Sequence, residues 1–299
     1  MTARVFIVMT TRNRIRTLPR AIYSVIEQTF QDWELLIIND NSIDRTKEWL
    51  DNNIVDPRIQ VIKNISDSNH SIVKQNYMLA STNEYLAVLD DDDYWDSNYL
   101  EESVRTLDCW WMSPFTYTNC RLLKEDSRVE LEDTSRGYPF PDILPSLCVF
   151  RGSIFRELNG WDLERYKFGN KFIHAEIDYY LRVRKLYGHP IHIPRSLVSI
   201  SRNNNSMGAS RELNMLGTKR LMFLWEEYLK QDRKVWSILS SRLGIHEVEY
   251  GLSGSKSFKE AIRYNPENLE AWGALILSSI SRDLFLWCYS KYRELARRH

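Results

Sequence analysis

The sequence predicts an α/β fold, a mostly parallel sheet flanked by helices, with a helical extension from about residue 211. Three observations carry this expectation. Over the first hundred residues, apolar runs of strand length alternate with stretches whose apolar residues recur at helical spacing. That alternation is the signature of a parallel sheet with right-handed crossovers. Three of the runs also end in polar residues, at 10–13, 39–42 and 90–93, and in parallel sheets ligands sit outside the carboxyl ends of the strands.

In order, residues 5–9 (VFIVM) read as a buried strand running into the polar turn Thr10, Thr11, Arg12, Asn13. Leu18, Ile22, Val25 and Ile26 then set a helix over about 16–28, with Pro19 tolerated in its first turn. Residues 33–38 (WELLII) form the next strand, and Asn41 or Ser42 is suited to cap a helix over about 43–51. A third, short strand is expected at 59–63 and a third helix at 71–80. The fourth strand, 85–89 (YLAVL), stops at Asp90, Asp91, Asp92 and Asp93.

Composition narrows the function classes. Forty basic and forty acidic residues cancel, which argues against a general nucleic-acid binder. The four cysteines are scattered without a C-x-x-C pair, so neither a disulfide framework nor zinc-ligand spacing is expected, and a reducing compartment is. No signal peptide and no apolar run near the roughly 20 residues of a spanning helix is read, so a soluble, cytoplasmic protein is the expectation.

The acidic run is the feature with chemistry in it. Four adjacent carboxylates repel one another; exposed to water they are a solvated loop, and at the mouth of a parallel sheet they are oxygen ligands for Mg²⁺ or Mn²⁺ with a phosphorylated ligand completing the shell. The first strand is not followed by G-x-G-x-x-G, and G-x-x-x-x-G-K-[ST] is absent, which excludes a P-loop and argues against the usual dinucleotide fold. An EF-hand register beginning at Asp90 would put Trp95 where the loop needs glycine.

The joint pattern VFIVMTTRNR, AIYSVIEQTFQDWELLIINDNSIDRT and VLDDDDYW resembles the inverting family 2 glycosyltransferases of the GT-A (Rossmann-like) fold, close to the spore-coat and surface-polysaccharide branch. The resemblance extends to about residue 205 and implies a domain over 1–210, with a nucleotide-sugar-binding half at 1–105 and an acceptor half at 106–210. It implies a base-contacting turn at Thr10 and Arg12, a base-binding acid at Asp40 and a basic partner at Lys74. On the D-x-D element it assigns Asp91 to the ribose or donor sugar and Asp92 to a Mn²⁺ or Mg²⁺ ion, with Asp90 as a second candidate. Arg12 stands where the family usually has Tyr or Phe, and Asn39 where Asp is common.

In the acceptor half the resemblance places a strand and short helix at 147–160, ending at a glycine cap, with an aromatic at Trp161 that packs or touches the sugar. A carboxylate six residues before an arginine on the following helix deprotonates the acceptor hydroxyl in that family, which selects Glu176 against Arg182. Asp178 is the rival, roughly 200° around the helix, so only one of the two can face the cavity. His174 and Asp178 are counted with Trp161 on the acceptor side. Residues 199–208 (SISRNNNSMG) read as a mobile loop, in which Arg202 would clamp the diphosphate.

Beyond residue 211 the chain reads as a helical cap, with one tetratricopeptide-like helix pair at 257–275. Its last helix is basic and aromatic; it either packs or lies on an anionic bilayer, giving a peripheral contact at the inner face of the membrane. The expected activity is metal-dependent inverting transfer from a nucleotide-sugar donor to a glycan or lipid-linked acceptor. The alternatives are a polyprenyl-phosphate sugar synthase and a non-catalytic nucleotide- or sugar-binding protein.

Overall fold

The computed structural model describes residues 3–64, 69–123, 129–132, 144–201 and 211–296. Two compact units are distinguished, the first taking in Met1–Ser135, Asp142–Arg165 and Ala175–Asn203, the second Arg136–Pro141, Tyr166–His174 and Asn204–His299.

The first unit is built on a nine-stranded sheet. Its opening half is the predicted alternation: β1 (Val5–Thr11), α1 (Leu18–Ile26), β2 (Trp33–Asn39), α2 (Thr46–Asn53), β3 (Ile59–Lys63), α3 (His70–Ala80) and β4 (Tyr85–Val88). β1 pairs in parallel with β2 and β4, and β2 in parallel with β3. These strands read as continuous apolar runs because both faces are covered; Val5, Ile7, Val8, Met9 and Ile37 have no exposed surface.

The chain continues through β5 (Tyr94–Trp95), α4 (Tyr99–Cys109), β6 (Phe115–Leu123), β7 (Val129–Glu132), β8 (Cys148–Arg151) and α5 (Gly152–Glu157). Two short strands of the second unit follow, β9 (Lys167–Phe168) and β10 (Lys171–Phe172), and then α6 (Ala175–Tyr187) and β11 (Ile191–Ser201) of the first. The strand order is β3-β2-β1-β4-β8-β6-β11-β5, with β7 on the far end of β6. β8 is inserted antiparallel between β4 and β6, so β6 and β11 run parallel to β4. Behind β8 an aromatic core joins Phe115, Phe150, Phe155 and Tyr179.

Two local expectations need correction. The second helix begins at Thr46 rather than 43, because Ser42 is committed elsewhere: its hydroxyl accepts from the Asn13 N–H, and its own N–H donates to Asn39. Residues 199–201 belong to strand β11 rather than to a loop. Arg121 ties that strand down by donating to the Ser199 hydroxyl and the Ser196 carbonyl while pairing with Asp96.

The second unit holds α7 (Arg211–Leu224), α8 (Glu226–Leu229), α9 (Arg233–Tyr250), α10 (Ser255–Tyr264), α11 (Leu269–Ile280) and α12 (Arg282–Ala296). Asp232 caps α9, accepting from the N–H groups of Lys234 and Val235, and Gly251 ends it in the left-handed conformation at φ 112°. α10 and α11 are the predicted helix pair, divided at Pro266. Their core is Ile245, Val248, Phe258, Ala274 and Phe285; a side chain on Gly244 would come within 2.5 Å of the Phe258 ring, so glycine there sets the approach of α9 and α10. Among the described residues no helix is long and apolar enough to cross a membrane.

Candidate active site

Parallel pairing brings the carboxyl ends of β1, β2 and β4 to one edge of the first unit, with Thr11 beside Asn39 and Val8 beside Val88. The turn after β1 is fixed by Asn13, held at φ 55°, whose side-chain oxygen accepts from the Ile43 N–H at 2.8 Å. The Asp40 N–H donates to the Thr11 carbonyl at 2.8 Å, so the first two predicted segments are locked together. Thr10 is buried at the end of β1.

Asp40 is a hub. Its two carboxylate oxygens meet Asn64 Nδ2 at 2.8 Å and His70 Nε2 at 2.7 Å, and Arg12 stands 3.6 Å away. Acid, amide, imidazole and guanidinium together make a polar pocket able to read the hydrogen-bonding edge of a flat heterocycle. Lys74 reaches Asp90 at 2.7 Å, one turn of α3 beyond His70. The imidazole of His70 is therefore the basic group against Asp40, a role the residue pattern did not single out.

The acidic run forms a tight turn in which the Asp93 N–H donates to the Asp90 carbonyl at 3.1 Å. Its four carboxylates have separate fates. Asp90 is held below the usual carboxylate range by the Lys74 ammonium, and secondarily by His70 and Arg14. Asp93 is buried and accepts from the Ser201 N–H at 2.9 Å and the Ser146 hydroxyl at 3.4 Å; burial raises its pKa well above the ordinary value. Asp91 is pushed up to about 6, first by burial, with its acidic neighbours adding and Arg14 opposing. Asp92 is raised in the same way, by burial and then by Asp90. Among the described residues, both pair with Arg14, at 3.6 Å from Asp91 and 3.7 Å from Asp92, within ion-pair range but beyond hydrogen-bond distance. Among the described residues, Asp91 and Asp92 thus share one guanidinium, and burial opposes their charge.

That donor set fits a hard divalent cation. Among the described residues no three His, Cys, Asp or Glu side chains are gathered into a closed metal set. An ion that takes one or two carboxylates and completes its shell with phosphate oxygens and water needs none. The main chain of Asp92 is pinned from behind, its carbonyl accepting from Arg20 at 2.9 Å and from the Ser201 hydroxyl at 2.6 Å.

On α6 the two rival carboxylates are separated. Asp178 has no exposed surface and receives Arg182 at 2.7 Å, while the same guanidinium donates to the carbonyls of Leu158 and Gly160. Glu176, in the first turn of α6, is partly exposed. Trp161 is buried, edge-on to Phe150 and Phe155, and its backbone N–H donates to Gln75 Oε1 at 2.7 Å. His174 belongs to the second unit, at φ 68°, where Nε2 lies 3.1 Å from the Thr218 hydroxyl and burial lowers its pKa to about 4. Arg202 lies outside the described residues. Arg14 was missed; it follows Arg12 by two residues in a turn whose polarity, not its individual side chains, carried the expectation.

A mostly parallel sheet flanked by helices, with an acidic turn at its carboxyl edge, is the GT-A fold. The fold is shared with S. aureus TarS residues 1–349, solved in complex with UDP-GlcNAc, at a TM-score of 0.58 and 13% identity over 97% of this chain and 92% of that one. Residues 6–109 match the family described as Glycosyl transferase family 2. It is 28% identical over 178 residues to the Escherichia coli UDP-Glc:alpha-D-GlcNAc-diphosphoundecaprenol beta-1,3-glucosyltransferase WfgD, spanning 59% of this chain and 67% of the relative. It is 34% identical over 96 residues to the putative colanic acid biosynthesis glycosyl transferase WcaA of Escherichia coli (strain K12), where the match spans only 34% of that relative's length.

Proposed function

We propose that the protein is a metal-dependent, inverting glycosyltransferase that moves a sugar from a nucleoside-diphosphate donor, a UDP-sugar, to a hydroxyl of a lipid-linked glycan. The observation that carries this reading is the pair Asp91, buried, and Asp92, half-buried, sharing the single guanidinium of Arg14 among the described residues next to the Asp40–His70–Asn64 pocket. The base would enter that pocket, and Asp91 would hold the ribose or donor sugar. Asp92 would hold Mn²⁺ or Mg²⁺, which when bound offsets charge developing on the diphosphate leaving group. The lipid-linked acceptor is supported by the diphosphoundecaprenol in the name of the WfgD relative.

Glu176 is assigned as the base. A sugar hydroxyl is a poor nucleophile near neutral pH, and a positioned carboxylate that takes its proton typically contributes about 10²–10⁴-fold. Asp178, by contrast, is engaged with Arg182 and holds α6 to the segment before it. The oxygen of the acceptor would attack the anomeric carbon as the bond to the diphosphate breaks, its proton passing to the Glu176 carboxylate.

The test uses a panel of UDP-sugars with GlcNAc-diphosphate-undecaprenol as acceptor and Mn²⁺ present. Glu176→Gln is expected to lower transfer by about 10²-fold or more with UDP binding retained. Asp178→Asn is expected to lower stability by about 3 kcal/mol, because the Arg182 charge is left unpaired. Undiminished transfer in Glu176→Gln would point instead to a phosphate acceptor, as in a polyprenyl-phosphate sugar synthase. UDP binding without transfer to any acceptor would make the protein a binding module.

A further inference from the structure

In the second unit, α11 is apolar on two opposite faces. Ala271 and Ala274 are buried, and Leu275 and Leu277 pack on the core of Val248, Phe258 and Phe285. On the other side Leu269, Trp272, Ile276 and Ile280 are exposed by 81, 42, 56 and 68%. At about 100° per residue these four fall within roughly 80° of one another, a stripe about 16 Å long. α12 adds Leu284 and Trp287, exposed by 38 and 64%. A helix hydrophobic all round is ordinarily covered on all sides, and an exposed apolar stripe of this kind marks an interaction surface.

Two observations choose the occupant. Six side chains fall far short of the roughly 20–30 residues a side that a stable protein interface uses. The charge is also one-sided: residues 255–299 hold eight Lys and Arg against five Asp and Glu, while the rest of the chain holds 32 against 35. Lys256, Lys259 and Arg263 are exposed on α10, and Lys291 on α12. Apolar insertion and attraction to anionic headgroups add without a threshold area, and indole rings favour the headgroup level. We infer that the α11 stripe is a docking face for an anionic lipid bilayer. This makes α11, not the terminal helix alone, the inserting element. The inference rests on the reading above only in that a lipid-linked acceptor supplies a reason for the contact; binding itself is read without transfer.

The experiment is vesicle flotation of the full chain, with vesicles of phosphatidylcholine alone and of equal parts phosphatidylcholine and phosphatidylglycerol. The protein is expected to float with the mixed vesicles and about tenfold or more weaker with the neutral ones. Ile276→Glu and Ile280→Gln are each expected to weaken flotation by about tenfold or more while melting with the wild type, since both positions face outward. Failure of the wild type to float overturns the inference. So does undiminished flotation in both variants, or loss only in Trp111→Ser, which lies in the other exposed apolar run at Trp110, Trp111 and Met112. A concentration-dependent dimer that the two variants dissolve, without vesicle binding, overturns it in favour of a second copy. Flotation as expected in a protein that transfers to no lipid-linked acceptor upholds the docking face and refutes the assigned acceptor instead.

Discussion

The two edges of the β1–β4 sheet carry the same kind of side chain under opposite conditions. At the amino edge Arg4 donates to Glu84 at 2.7 Å and to Asp108 at 2.7 and 3.2 Å, and the Tyr85 hydroxyl donates to Asp108 at 2.6 Å. Glu84 and Asp108 are accordingly held below the usual carboxylate range, chiefly by the Arg4 hydrogen bonds. At the carboxyl edge Asp91 and Asp92 are raised, burial being the first cause, with Arg14 too distant to bond. One edge is built to be stable on its own. The other holds carboxylates whose charge burial disfavours, and on the proposed reading a bound ligand offsets it, an exchange of stability for function.

Three substitutions break or sharpen that contrast, and the largest effect is expected at the mouth. Asp92→Asn should lower turnover of the UDP-sugar by about 10³-fold, the equivalent of several kcal/mol of leaving-group stabilisation. The same variant should melt no lower than the wild type, because it removes a carboxylate that burial disfavours. Paired measurement of rate and melting temperature checks both halves; a fall in both would make Asp92 structural.

Asp91→Asn should raise the stability of the unliganded protein near pH 7 by about 2 kcal/mol. The sign follows from the direction of the shift. A carboxyl raised from its ordinary 3.8 to about 6 binds its proton more tightly when folded, so stability is fullest below about 4 and is lost as pH rises through about 6. Denaturant unfolding of wild type and variant across that range should diverge upward in pH and converge below about 4.

Arg4→Met gives the smallest effect, about 1 kcal/mol, since all three partners are partly exposed and solvent screens them. Its pH dependence runs the other way. Carboxyls lowered on folding add stability above their unfolded values, lost as pH falls through the folded ones, so wild type and Arg4→Met should converge in acid below about pH 4.

How much of this was legible follows from range in sequence. β1, β2 and β4 were readable because each is a nearly continuous apolar run that ends at its own polar turn, and the same turns placed Asp40 and Asp92 on one edge. The insertion of β8 between β4 and β6 was not, since it depends on pairing Tyr85 with Arg151, 66 residues further on. The Ser-rich start of the expected loop at 199 reads as polar coil, yet Arg121 and Asp93 supply partners that make it strand. His70 was hidden for a similar reason: its partner Asp40 lies 30 residues away, and only the α3 approach brings them together. Trp161 and Asp178 show the converse, residues whose types suggest chemistry and whose surroundings are an aromatic core and an arginine.

The central claim is that the acidic mouth becomes complete only with a divalent ion and a diphosphate. Calorimetric titration of UDP into the full chain, with and without Mn²⁺, tests it most directly. Tight binding in the presence of Mn²⁺, at least about tenfold weaker without it and equally weak in Asp92→Asn, is the predicted result. UDP binding of the same strength with or without the ion, unchanged in Asp92→Asn, would contradict it.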